Sequence, residues 1–306
     1  MSLNTSSAVI KLNALTAKFN EAAKAAKPLH LQLATTVPSS GYAEDYGMLG
    51  AVPGIREWLG ERKFSEMRGL NFTITNKEWE GSLLVKKTDI ADDRLGLYVP
   101  KFQELGVRAA NHPVKLLYSL VNAAESTACF DGQYFFDTDH SWGDSGSQSN
   151  DLSYAAATGT TPTVAEFKGA YNGAIEALSG FVDDQGEYIN QEVLDESASL
   201  IVMVPFTYYQ TALDALTTRL GATGGDNVVI NRPLIIPTVR MTSSTVLDVY
   251  KVDEPLKPFI WQTREPIRTS RKGMTDDEEK YVKFMSTARY NMGYGAWWTA
   301  VRTTFT

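Results

Sequence analysis

Apolar positions recur at helical spacing along several parts of this chain and at strand spacing in others. Across residues 7–27, SAVIKLNALTAKFNEAAKAAK, the side chains Ile10, Leu12, Leu15, Phe19, Ala22 and Ala26 fall close to one helical face, with Ser6 or Ser7 as cap and Pro28 as stop. Residues 28–68 then read as irregular, rich in Gly, Pro and Ser, and long for a connection inside one compact domain. Leu70, Phe72 and Ile74 alternate in GLNFTIT, and EWEGSLLVKK follows directly after Asn76-Lys77. The two runs predict a protruding β-hairpin about a short polar turn, whose Trp79 needs a covering surface.

Helical spacing returns over 89–126, where Leu95, Val99, Phe102, Leu105 and Ala109 share a register behind a cap at Asp92 or Asp93. Pro100 and Pro113 are expected to kink or split that helix, and His112 reads as a structural histidine. The polar run 141–162, SWGDSGSQSNDLSYAAATGTTP, reads as a surface loop. Thr163 and Glu166 form a capping box ahead of the stripe Val164, Phe167, Tyr171, Ala174, Leu178 and Val182. SLIVMV at 199–204 reads as a buried strand, FTYYQTALDALTTRL as a helix ended by Gly221, and the tail as β-rich with one charged loop, KGMTDDEEK. No internal repeat appears.

Composition narrows the class. With 306 residues, 43% apolar, 21% charged and 11% aromatic, the chain can bury a core and lies outside the disordered and collagen-like ranges. Its longest wholly apolar run, LIVMVPF, is far short of the ~20 residues that span a bilayer. The opening MSLNTSSAVIK lacks the basic start and apolar stretch of a secretory signal, so the chain is expected to stay where it is made. A lone cysteine, Cys129, leaves no internal disulfide and no multi-cysteine zinc site. The net charge of −7 removes any general drive to coat nucleic acid. The first helix is the exception, with four lysines against Glu21; a solvated face and a partner-docking arm both account for it.

Candidate chemistry concentrates in CFDGQYFFDTDH, residues 129–140, and the GDSG that follows at 143–146. GDSG surrounds the nucleophile of chymotrypsin-like proteases, but a triad needs a histidine to take the Ser145 proton and a buried aspartate to orient it. The candidates are His30, His112 and His140, and none stands in the sequence context of that family. A calcium loop begun at Asp137 and Asp139 fails, because Trp142 stands where the turn needs glycine and Gln148 where the closing glutamate belongs. A divalent ion on Asp137, Asp139 and His140 is chemically possible, as is a metal-dependent or serine hydrolase using the 137–145 cluster. The competing reading makes Asp131-Gly132 a turn, packs the two phenylalanines inward, and uses Asp131, Asp137, Asp139 and His140 to hold backbone in place. GATGGDN lacks the lysine of a phosphate loop, and RTSRK reads as a solvated basic loop.

Four separated stretches, PGIREWLGERK, TNKEWEGSLLVKKTDIADDRLGLY, FDGQYFFDTDH and RYNMGYGAWWTAVR, resemble in that order the gpT-like major head subunit of Mu-like tailed bacteriophages. The resemblance implies an α+β chain with the major-capsid fold shared by tailed phages and herpesviruses. It implies an N-terminal arm over 1–50, an extended β-hairpin loop over 60–90, and a spine helix over 93–125. That helix would lie in a peripheral domain of 91–160 and 236–306, beside an axial domain over 161–235. Implied with it are self-assembly into hexamers and pentamers of an icosahedral shell around double-stranded DNA, and no catalytic, metal or cofactor site. Portal, scaffolding or protease proteins and decoration proteins would be partners, with only weak, non-specific DNA contact and no membrane. The location would be the virion, and the bacterial cytoplasm during assembly. On this reading Leu12, Leu15, Phe19, Lys77 and Trp79 are expected to touch neighbouring subunits, and Glu57, Arg62, Arg268 and Arg271 to form salt bridges between them.

Overall fold

The computed structural model describes residues 5–48, 70–141, 143, 145–183, 186–195, 197–218, 228–229, 231–273 and 279–306. The chain begins with α1 (Thr5–Ala25), α2 (His30–Leu33), β1 (Ala34–Pro38), β2 (Ala43–Met48), β3 (Leu70–Thr75) and β4 (Lys77–Lys86). Next come α3 (Lys87–Ala91), α4 (Val99–Ala123), β5 (His140–Ser141), β6 (Ser147–Gln148), β7 (Asp151–Tyr154) and α5 (Val164–Gly180). The remainder holds β8 (Leu200–Pro205), α6 (Tyr209–Leu216), β9 (Leu234–Thr238), β10 (Val246–Lys251), β11 (Phe259–Lys272), β12 (Tyr281–Tyr294) and β13 (Ala300–Phe305). Two main sheets result, one ordered β1-β11-β12-β4 and one ordered β7-β13-β10-β8-β9.

The first sheet corrects the expected hairpin. β3 and β4 do not pair with each other: β3 pairs antiparallel with β2, while β4 pairs antiparallel with β12 from Lys77 opposite Tyr290 to Lys86 opposite Tyr281. Asn76 alone separates β3 from β4, too little for a two-residue hairpin turn. Its buried amide instead donates to Ser39 Oγ at 2.7 Å and to the Gly41 carbonyl at 3.0 Å, and accepts from Gln262 Nε2 at 2.8 Å. Alternation identified both strands; it carried no information about their partners. The long hairpin is β11–β12, whose register shifts between Thr263 and Arg268 around Pro266, a residue with no N–H to give the ladder.

α1 is part of the subunit core. Leu12, Leu15 and Phe19, spaced three and four residues apart, are all buried, packed with Phe102 of α4 and Phe284 of β12. The Phe19 and Phe102 rings lie 5.6 and 4.7 Å from the Phe284 ring. The two helices cross so closely that a Cβ on Gly106 would sit 2.4 Å from the Phe19 carbonyl oxygen. The apolar face expected to seek a neighbour is thus covered by its own chain.

The spine helix starts later than expected. Asp93 has φ 59°, outside helical space, and α4 begins at Val99 after a 3-10 turn at Leu95–Leu97. Pro100 falls in its first turn, where a missing N–H costs nothing, and the helix runs on through Pro113 without splitting. Burial of Phe102, Val114, Leu117, Tyr118 and Val121 along one face stabilises it enough to outweigh one lost hydrogen bond.

The second sheet is built around β8, buried along its whole length between β10 and β9. It draws β10 and β13 from the tail, and β9 straddles the expected 235/236 border, so that border does not separate two sheets. An all-apolar strand needs both faces covered, and a central place in the sheet provides that. α5 carries the capping box, with Glu166 N–H donating to Thr163 Oγ1 at 3.3 Å and Thr163 N–H to Glu166 Oε2 at 2.7 Å. α6 ends at Leu216, while Gly221 lies outside the described residues. The supposed surface loop 141–162 is also partly internal: β7 joins β13 in parallel, and Asn150 is fully buried.

Candidate functional site

The cluster singled out by composition folds into a closed corner between the end of α4 and β13. Gly132 takes φ 89° and its N–H donates to the Cys129 carbonyl at 3.2 Å, turning the chain so that Phe135 and Phe136 enter the core. Asp131, with its side chain 2% exposed, then receives two side-chain donors: Cys129 Sγ at 2.9 Å and His140 Nδ1 at 2.6 Å. The imidazole lies flat on Trp297, rings 4.1 Å apart and 4° from parallel. His140 Nε2 faces Asn150 Oδ1 at 3.2 Å, an oxygen that also accepts the Asp137 N–H at 2.9 Å. Asn150 Nδ2 completes the corner by donating to the carbonyls of Phe135 at 2.8 Å and Trp297 at 3.3 Å.

Cys129, Asp131 and His140 are the ligand types of a divalent ion, and their donor atoms lie within 4.8 Å of one another. Their spacing suits hydrogen bonds better. Ligands at ~2.0–2.3 Å from a tetrahedral ion stand roughly 3.3 Å or more apart, wider than the 2.6 and 2.9 Å found here. Burial, and then the neighbouring Asp131 charge, push the Cys129 thiol up, so it stays protonated and donates. Asp137 and Asp139 do not join this set. Asp137 caps the N–H groups of Thr138 at 2.7 Å and Tyr134 at 3.1 Å, and Asp139 is exposed. Burial pushes the Asp137 carboxyl up, but those two N–H bonds, with Asp139 and the His140 charge, together hold the group below the ordinary range.

Ser145 is not engaged by the corner's histidine. Ser145 Oγ donates to the Gly146 carbonyl at 2.9 Å, while both ring nitrogens of His140 are directed at Asp131 and Asn150. His112 Nδ1 meets the Tyr290 hydroxyl at 2.9 Å, and His30 is buried against Trp261 with ring centroids 4.8 Å apart. The three histidines thus face partners other than Ser145, and nothing in this geometry supports the hydrolase alternative. Trp142 and Asp144 lie outside the described residues.

Two charged hubs carried no usable signal in the sequence. Arg302, 4% exposed, makes a bidentate pair with Asp248 at 2.7 and 2.7 Å, reaches Glu125 at 2.7 Å, and lies over the Phe136 ring at 4.5 Å. Nearby, burial and then the Glu125 charge push the Asp151 carboxyl up to about 6. At the end of β10, the fully buried Lys251 ammonium is clasped by Glu192 and Glu254, with Asp253 at 3.8 Å. Asp253 and Glu254 are sequence neighbours of Lys251, but Arg302 meets Asp248 and Glu125 across 54 and 177 positions, and Glu192 is likewise distant from Lys251, so a linear reading had no way to associate those pairs.

The expected contact residues divide into three groups. Leu12, Leu15 and Phe19 are inside, and Trp79 is half-buried: its Nε1 donates to the Tyr290 carbonyl at 2.9 Å and its ring lies 4.3 Å from His112. Lys77 and Arg268 are exposed, Arg268 lying 3.6 Å from Glu265, whereas Arg271 donates to Asn13 Oδ1 of α1 at 2.7 Å. Glu57 and Arg62 fall outside the described residues.

Comparison with known proteins gives this architecture a context. The sequence matches the family described as "Mu-like prophage major head subunit gpT" over residues 10–167 and 241–305. It is 35% identical over 153 residues to the Mu-like prophage FluMu major head subunit of Haemophilus influenzae, covering 50% of each chain. It is 39% identical over 109 residues to the major capsid protein of Escherichia phage Mu, covering 36% of each. These matches therefore span half or less of the relatives' lengths. Among solved structures, the procapsid of bacteriophage JBD30 superposes with a TM-score of 0.56 at 25% identity, over 96% of this chain and 75% of that one.

Proposed function

Because the chain belongs to the family of Mu-like prophage major head subunits and has the α+β major-capsid fold of tailed phages, we propose that it is the repeating wall subunit of a phage head. Copies would assemble into hexamers and pentamers of an icosahedral shell enclosing double-stranded DNA. The observation that carries this reading is the family match at both ends of the chain, which takes in α4, the 129–140 corner and the β11–β13 tail. Two physical features support it. Exposed Phe206 and Val239 line one surface cavity with Leu29 and Tyr118, an apolar patch that a neighbouring copy would cover. A shell holds by many modest symmetric contacts, which require shape and charge but no reacting group.

The reading extends to location and partners. The subunit would reside in the virion after assembly in the host cytoplasm, alongside portal, scaffolding or protease proteins and decoration proteins. An acidic wall would touch the packaged DNA only weakly and without sequence preference. Lys77, Arg268 and Arg271, with Glu57 and Arg62, are proposed contacts between copies. Leu12, Leu15, Phe19 and Trp79 would serve assembly indirectly, by holding α1 and β4 in the shape a neighbour meets. Electron microscopy and light scattering of the purified chain test the proposal. Rings, tubes or closed particles are expected, and a strict monomer under every salt and crowding condition overturns it.

A further inference from the structure

The charge of this chain is unevenly distributed along its sequence. Residues 176–196 carry seven carboxylates and no lysine or arginine. Residues 5–27 and 99–123, which include the packed pair α1 and α4, carry seven lysines and arginines against two glutamates. The acidic segment is firmly mounted: Asn190 Nδ2 donates to the carbonyls of Leu178 at 3.1 Å and Trp298 at 2.7 Å, and Val193 is fully buried. What it presents outward is Glu176, Glu187 and Asp195, together with Tyr188 and Leu194, which are 60% and 52% exposed. On α4, Arg108 and Lys115 are seven residues apart and so share one outward stripe with Glu104, which pairs with Arg108 at 2.6 Å and Lys101 at 3.3 Å, beside Val107 at 42% exposed. The opposite face of α4 is the buried one that anchors the helix.

We propose that the acidic shoulder of one copy docks on the α4 stripe of a second copy. The inference rests on the shell reading above and names one of its contacts. Charge complementarity selects the partner: the shoulder's own segment holds no cation, while α4 keeps a net positive charge, Lys101, Arg108 and Lys115 against Glu104 alone, and exposed Tyr188, Leu194 and Val107 suit the dry centre of a contact. Because the two surfaces differ, the contact is head-to-tail, and repetition with a closing rotation makes a ring.

Paired charge reversals test this. Arg108→Glu with Lys115→Glu, and separately Glu187→Lys with Asp195→Lys, should each lower the assembled fraction at least about tenfold, as like charges brought face to face cost several kcal/mol. The chain carrying all four changes should recover assembly, because its surfaces are complementary again. Circular dichroism checks that each variant folds. Should a reversal fail to fold, wild-type assembly carries the test between about 0.05 and 0.5 M salt, where the screening length falls from roughly 14 to 4 Å. Assembly that weakens steeply supports the contact, and assembly indifferent to salt overturns it. Reversals that assemble like wild type, or losses the four-site chain does not repair, also overturn it. If the Arg108 and Lys115 changes reduce only co-purifying DNA, the stripe belongs to nucleic acid and the proposal fails. A wild-type chain that never assembles removes the shell reading itself, an outcome distinct from wild-type particles that ignore these charges.

Discussion

The 129–150 corner and the α1–α4 layer place polar residues in opposite circumstances. In the corner, Asp131, His140 and Asn150 are buried and spend their hydrogen bonds on one another and on nearby carbonyls. On the helices, Arg108 and Lys115 stand in solvent above a packed apolar face, Arg108 held at 2.6 Å by Glu104, an exposed pair open to water. A dense group of reactive residue types thus proves to be a structural clamp, whereas a scattered set of ordinary surface charges offers more to a partner. The difference lies in satisfaction: a group whose donors and acceptors are all matched inside has little left for a ligand.

The largest expected effect strikes the corner. Asn150→Ala removes bonds to Phe135, Trp297 and Asp137 and leaves buried groups unpaired, which should cost about 3 kcal/mol or more in urea unfolding. A loss under ~1 kcal/mol would mean that the corner is not the clamp described here. Next in size is Gly106→Val, which forces α1 off α4 and should cost roughly 2 kcal/mol through overpacking. Limited proteolysis should then release α1 first; unchanged protection of α1 would contradict the close crossing.

His30 sits where α2 meets the first sheet, and burial lowers its pKa to about 4. Below its ordinary value near 6.5 the unfolded chain takes up a proton that the folded chain refuses. Stability should therefore fall as pH drops from about 6.5 toward 4, and His30→Phe should remove that share of the slope. Asp151 works oppositely over about 4 to 6, because its raised pKa lets the folded chain hold a proton longer, adding stability as pH falls. The smallest effect is expected from metal: adding zinc or a chelator should move the melting temperature by less than about 1 °C, given hydrogen-bonded donors spaced too closely for an ion. A zinc-dependent rise of several degrees would turn the corner into a binding site and reverse the comparison.

Much of the local structure was legible in the sequence. The Thr163–Glu166 box, the α1 face, the β8 run and the Asp131-Gly132 turn all rest on interactions within a few residues, where spacing and residue type suffice. The α4 start was misread because acidic capping residues precede it, yet Asp93 adopts a left-handed turn instead. The hairpin was misread because alternation marks a half-buried strand whoever its neighbour is.

Local periodicity, turn chemistry and capping therefore determined where helices and most strands lie, and four ordered motifs pointed to the family, because these signals are short-range or carried in the linear order itself. Tertiary structure alone decided that β4 pairs with β12, that Arg302 meets Asp248 and that Asn150 closes the corner. Each of these joins residues distant in sequence, and such pairings are selected by the joint burial of apolar area and the matching of most buried polar groups.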